Sequence, residues 1–441
     1  MTDGPANLRN AVGAATRPRL VVLLVVVAYF ICLALLGGRS HWGALGVAPG
    51  SVAFGDLRSV TSGWECTRNG IDILELNPCD QGQRPANYPR IWMSLSALGL
   101  GTDQTVILGL LIAGVFLLAA LLIIPSSASL GQALMYSLAL CSPAVMLGVE
   151  RGNVDLLIFA MLALAVALFR RRWGALLAST LIVLCAMLKL FPLLAAGVLA
   201  RAPRRQAATC LGAVLAAFLG YALVIRHDLA VLWRVTPQPE EFSYGIRLLS
   251  EWAATAANAL APGASRTFRA WDLALLAAAL GLALWTARRS DPLPGPTPPP
   301  GRQATVDLFV AGAGIYLGSY AFTRNFDYRL VFLLFALPQV IRWSAAGDRI
   351  ARVALVGLLG TLWLDPHLTA DVPMLGRLVR AWSDLTVVGP DHRPLALAEV
   401  AQFVLFTTLL SLALRLARPT IQSWRQRTRH APLDATHEVS G

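Results

Sequence analysis

Long apolar runs alternate with short polar turns along nearly the whole chain. The first run, 20–37 (LVVLLVVVAYFICLALLG), follows an arginine-bearing arm, 1–18. It is too long for a secretory hydrophobic core and no small-residue cleavage site follows it, so it predicts a retained first span from about Arg19. Later runs predict spans over 105–124 and 130–149, one from the polar turn at 150–155 to the arginine triplet 170–172, and others over 207–225, 270–287, 305–321, 330–343, 350–364 and 397–416. The segment 173–200 begins and ends beside arginines and is too short for two full crossings at about 1.5 Å per residue. It predicts a hairpin pivoting near Lys189–Pro192, because Pro192 can begin a helix but disrupts an interior.

The fold class expected is an all-α integral membrane bundle of about 12 transmembrane or re-entrant helices, filling 19–416. Its polar intervals are a long first outer loop at 38–103, outer loops at 226–269 and 365–396, a Pro-rich linker at 290–301 and a charged tail, 417–441, expected to be disordered. Within the first loop, 91–100 is too short to cross and is expected at the interface, with Trp92 as anchor.

Composition agrees. Of 441 residues 56% are hydrophobic and 14% charged, where a soluble domain of this size would carry roughly a quarter. Mean hydropathy is +0.60. A net charge of +12 could suggest nucleic acid, but the positions of the charges argue otherwise. Placing the arginine clusters near 9–19, 170–172, 201–205, 288–302, 342–352 and 415–429 on one side gives that side 20 basic and 6 acidic residues, against 17 and 19 on the other. This positive-inside asymmetry predicts both termini in the cytoplasm, and nucleic acid is not an expected partner. Four cysteines lie in apolar runs. Cys66 and Cys79 share the first outer loop, either as two thiols or, in an oxidising compartment, as a disulfide.

Ionisable groups beside apolar spans cost roughly 2.5–3.5 kcal/mol to insert and so point to function. Four such places fall on the predicted outer side: Asp56 with Arg58; Glu150, Arg151, Asn153 and Asp155; Lys189; and Arg324, Asp327, Tyr328 and Arg329. Each has a plainer reading. Asp56 is either a general base at a cavity mouth or a solvated loop or capping aspartate, and position alone favours the second. Lys189, the only lysine, either binds a phosphate as a point charge or snorkels from a helix end. Arg324 and Arg329 either clamp a phosphate or pair locally with Asp327, and 150–155 either lines a site or satisfies itself as a turn. Asn87 and Tyr88 either line the mouth or belong to an interfacial aromatic belt. No Walker loop, HExxH, GxSxG, zinc spacing or DxD pair is present.

The combination of an early outer aspartate, Asp56, an RGNVD turn at 151–155, a K-x-x-P pivot at 189–192 and an N-x-D-Y-R-L turn at 325–330 resembles the GT-C superfamily of polyprenyl-phosphate-sugar-dependent glycosyltransferases. The nearest likeness is to glycosyltransferase family 87, which includes polyprenyl-phosphate-mannose-dependent mannosyltransferases. The resemblance covers roughly 20–415 and no single motif is strict. It implies an inverting transfer, mannose favoured, to a glycan or glycolipid acceptor outside a cell membrane, from a polyprenyl-phosphate sugar and without a cofactor. Asp56 would be the general base, and Lys189, Arg324 and Arg329 would hold the donor phosphate. Gly55 and Leu57 flank Asp56 where many relatives carry a second acid, which argues against a metal there. The alternative class is a transporter or flippase of lipid-linked or anionic substrates, which would favour internal repeats and charges on both sides of mid-membrane.

Overall fold

The structure is a computed structural model, and it describes residues 5–236, 243–260, 268–293, 300–322, 324–364 and 396–429. Six of its helices are long and apolar enough to cross a membrane. They are α1 (Pro5–Leu35), α3 (Thr105–Leu122), α8 (Arg204–Val224), α11 (Phe268–Arg289), α12 (Pro300–Phe322) and α15 (Ala396–Arg429). The 14-residue α2 (Gly55–Arg68) lies between the first two. A bent pair of helices makes a seventh candidate span. α4 (Leu130–Leu140) and α5 (Pro143–Arg151) meet at 50°. The bend falls where Pro143, lacking an N–H, can begin a helix but not continue one. α4 opens on a capping box in which Ser129 and Gln132 exchange side-chain and main-chain bonds of 2.9 and 3.3 Å.

The remaining apolar runs form shorter helices: α6 (Asp155–Phe169), α7 (Gly174–Leu188), α13 (Leu333–Ala345) and α14 (Arg349–Trp363). After α7 the chain turns back at Lys189 into a 3-10 helix, Phe191–Arg201. Arg170, before α7, and Arg201, at the end of the 3-10 helix, both bind the buried Asp307, so this segment returns to the end of the bundle it left. Apolar runs are therefore helical where expected, but only six or seven have the length to cross.

α12 is the centre. Two thirds of its span is buried, against 11% for α8 and 17% for α11, whose exposed leucines face outward as lipid-facing side chains do. Gly314 and Gly318 let α12 close on the hairpin. A Cβ at Gly314 would stand 2.7 Å from the Leu194 carbonyl, and one at Gly318 2.4 Å from its side chain. Small residues at such crossings replace the hydrophobic drive that lipid cannot supply.

The first polar interval is more ordered than its composition suggests. A 3-10 helix (Gly38–Leu45) follows α1, so Asp56 does not directly follow the first span. α2 buries Leu57, Val60 and Trp64, spaced for one helical face, and Val60 and Trp64 pack with Ile73, Tyr88, Trp92 and Met93. Cys66 of α2 is bonded to Cys79, which ties the following loop onto this small roof. Residues 90–98 form a 3-10 helix, and Trp92, expected as an interfacial anchor, is instead buried, donating to the Leu188 carbonyl at 2.9 Å. In the second polar interval stand α9 (Arg226–Val235), β1 (Ser243–Tyr244) and α10 (Ile246–Leu260). β1 pairs antiparallel with β2 (Asn325–Phe326).

The tail expectation needs amending: α15 continues through Pro419 to Arg429, so 417–429 is helical. The expected outer loop 365–396 lies outside the described residues up to 395, as do 1–4 of the arm, 237–242, 261–267, 294–299 of the linker and 430–441.

One end of the bundle gathers arginines. Arg19 binds the carbonyls ending α3, Arg170 and Arg201 bind Asp307, and Arg415 binds Asp348. The groups around Asp56 gather at the other end.

Candidate active site

Four chain segments converge at the end away from the arginines: the start of α2, the turn between α5 and α6, the pivot after α7, and the turn leading to α13. Asp56 sits in the first turn of α2, where a helix N-terminus favours a carboxylate. Its Oδ2 accepts a 2.6 Å hydrogen bond from Asn153 Nδ2. Among the described residues no hydrogen bond is made to its other oxygen, which leaves one lone-pair face open. Asn153 is fully buried. Its Oδ1 accepts from the Asp155 backbone at 3.0 Å and from Lys189 Nζ at 3.3 Å. Lys189 in turn binds Asp155 Oδ1 at 2.5 Å and lies over the rings of Tyr88 and Tyr328 at 5.4 and 5.3 Å. Arg329 Nε stands 3.8 Å from the other Asp155 oxygen, its fork donates to Asn325, and its guanidinium stacks on Phe191.

Phe54 fixes the entry to α2. It holds a left-handed backbone (φ 52°) and donates its N–H to the Glu150 carbonyl at 3.2 Å. Its ring fills the space left by two glycines. A Cβ at Gly109 would stand 2.5 Å from the ring, and one at Gly152, itself at φ 59°, 2.8 Å from Phe54 Cβ. Glu150 also accepts from Gly50 N–H at 2.9 Å, which pins the preceding bend.

Two cavities lie on either side of these segments. A polar one of about 340 Å³ is lined by Asp56, Ser59, Arg84, Asn87, Tyr88 and Arg151, with Tyr328 and Phe326 opposite. An apolar one of about 460 Å³ lies between α1, α3 and α5, with Phe54 and Glu150 on its wall. Burial pushes the Asp56 carboxyl above its ordinary value. The Asn153 bond and the charges of Arg151, Lys189 and Arg84 pull it back without cancelling the rise.

The structure thus brings Asp56, Asn87, Tyr88, Arg151 and Tyr328 to one cavity, with Asn153, Asp155, Lys189 and Arg329 directly behind its wall. Arg58 is half-buried on α2 and does not line it, and Asp327 is buried in the late turn. Arg324 is bound to Glu251 of α10. Of the three cations named for the donor phosphate, none faces the cavity, because Lys189 and Arg329 share Asp155 and Arg324 is held by Glu251. The cavity's own cations are Arg151 and Arg84, and sequence reasoning passed over Arg84. Arg84 forms a bidentate pair with Asp80 at 2.9 Å and donates to the Gly55 carbonyl at 3.1 Å, which locks the loop to the start of α2. The Asp80/Arg84 spacing just after Cys79 was the available signal. Among the described residues no three His, Cys, Asp or Glu side chains are grouped to hold a metal.

This is a polytopic helical membrane protein with a carboxylate and guanidinium groups around one cavity. Residues 91–310 match the family model of glycosyltransferase family 87, and the chain belongs to that family, so it is a membrane glycosyltransferase. The matched stretch contains Arg151, Asn153, Asp155 and Lys189, while Asp56, Arg84 and Tyr328 lie outside it. No curated protein and no solved structure matches the chain.

Proposed function

We propose that the chain transfers a hexose or pentose, mannose favoured, from a polyprenyl-phosphate sugar to a glycan or glycolipid acceptor, with inversion. Asp56 takes the proton of the attacking acceptor hydroxyl. As that oxygen bonds to the anomeric carbon, the bond to the phosphate oxygen breaks, and polyprenyl phosphate leaves with the electron pair. Arg84 and Arg151 offset the charge developing on the phosphate, and Lys189, behind Asn153, adds a further positive field. The lipid tail runs into the apolar cavity beyond Phe54.

One observation carries this reading. A partly buried carboxylate with one oxygen uncommitted faces a guanidinium-lined cavity, and an apolar cavity lies on the other side of the same two chain segments. Burial raises the Asp56 pKa, which strengthens the carboxylate as a base. The gathering of arginines at the opposite end supports an extracytoplasmic active face in a cell membrane, with both termini inside.

The test is transfer by the purified chain in vesicles supplied with radiolabelled polyprenyl-phosphate mannose and a glycolipid acceptor. A labelled glycosidic product of inverted configuration is expected. Movement of the intact donor across the bilayer with no new glycosidic bond would replace the enzyme by the transporter.

A further inference from the structure

A cavity of about 750 Å³ lies at the arginine-rich end, away from Asp56, and takes no part in the transfer proposed above. It opens between α1, α3, α4, α6, α12 and α13, and its lining is mixed. Arg19, Arg342, Ser127 and Gln132 supply polar groups. Ala160, Leu164 and Ala167 supply an apolar wall along α6. Arg19 donates to the carbonyls of Leu122 and Ile124 at 3.0–3.3 Å. These bonds hold its guanidinium in place, and among the described residues it forms no ion pair with a carboxylate. Arg342 donates to Thr305 Oγ1 at 3.2 Å, and Thr305 donates to Gln339 at 2.6 Å, which orients this second guanidinium. Leu164 and Ala167 are exposed, which places this apolar wall where hydrocarbon reaches it.

We propose that this cavity binds one anionic glycerophospholipid, its phosphodiester between Arg19 and Arg342 and one acyl chain along α6. Basic pockets between membrane helices recognise such headgroups by charge, and the apolar floor distinguishes a lipid from a soluble anion. The cavity volume lies within the range of ordinary ligand sites.

The test is native mass spectrometry of the full chain in mild detergent, titrated with phosphatidylglycerol or with phosphatidylcholine of the same chains. Wild type is expected to retain one phosphatidylglycerol in preference to phosphatidylcholine. Arg342→Gln should weaken it about fivefold. Ala167→Phe should weaken it with every charge intact, and Arg172→Gln, an exposed arginine at the same end, should leave it unchanged. Arg19 also caps α3, so the decisive variants are Arg342→Gln and Ala167→Phe, each used only if its melting without lipid matches wild type. The proposal is overturned if both bind phosphatidylglycerol like wild type, or if phosphatidylcholine binds equally. It is also overturned if Arg172→Gln loses as much as Arg342→Gln, or if millimolar inorganic phosphate displaces the lipid.

Discussion

Asn153 offers the most informative perturbation. Its amide links the base to the cations: Nδ2 donates to Asp56 at 2.6 Å, and Oδ1 accepts from Lys189 at 3.3 Å and from the Asp155 backbone at 3.0 Å. In Asn153→Ala the Asp56 carboxylate loses the one hydrogen bond that fixes it. A hydrogen bond to a charged group is worth about 1.5–3 kcal/mol. If that bond serves to aim Asp56, the transfer rate constant should fall about tenfold to a hundredfold, with little change in donor KM. A loss of packing alone would lower the folded fraction and leave the rate per folded molecule unchanged, so rates are normalised to folded protein by size-exclusion profile. Asn153→Asp separates positioning from charge. A second carboxylate beside Asp56 raises the Asp56 pKa further, because two like charges cannot both ionise cheaply. Asp56 must be deprotonated to act, so activity is lost as pH falls through its pKa. Burial raises the Asp56 pKa, so the acid limb of kcat/KM is expected above that of a solvated aspartate in wild type, and it should move to still higher pH in Asn153→Asp, with activity recovered in alkali. An Asn153→Ala enzyme as fast as wild type, or an Asn153→Asp profile that overlays it, would refute the reasoning.

Three further outcomes are expected. Gly109→Ala forces a methyl against the Phe54 ring, an overpacking worth about 1–3 kcal/mol, and should lower both melting temperature and rate; Phe54→Leu in the same chain should restore part of each. Reduction of the Cys66–Cys79 bond, which closes a loop worth roughly 3 kcal/mol, should free the Asp80–Arg84 segment and raise donor KM in wild type, with no added effect of reductant on Cys66→Ser/Cys79→Ser. Arg84→Ala and Arg151→Ala should raise donor KM, whereas Arg324→Ala, removed from the cavity and bound to Glu251, should change thermal stability with the kinetics of the folded enzyme kept; steady-state rates against donor concentration decide it.

The membrane class and the position of each apolar helix were legible because apolar runs leave little choice of structure. Their number as full crossings was not. α6, α7 and the Phe191–Arg201 segment are as apolar as a span but too short, and length in a folded bundle is set by neighbours such as Asp307, which anchors Arg170 and Arg201 together. α2 was hidden because Ser, Thr and Gly dilute its Leu57, Val60 and Trp64 face, so that Phe54–Trp92 read as a loop. Asp56 was legible by resemblance rather than by pattern. Side-chain pairing was the least legible layer. Nothing local indicates that Arg324 meets Glu251 or that Lys189 meets Asp155, since both contacts span folded elements, and Arg84 reads as one more loop charge until the Cys66–Cys79 bond brings its loop to Gly55.

The central claim is that the Asp56 carboxylate accepts the acceptor's proton. The most direct measurement is the single-turnover rate of sugar transfer by Asp56→Asn, an isosteric change that keeps the cavity and removes the base, with donor affinity measured in parallel. A general base contributes about a hundredfold to ten-thousandfold. The account predicts a fall of that order with donor affinity held near wild type. A rate within about threefold of wild type, which would mean the step needs no base here, would contradict it.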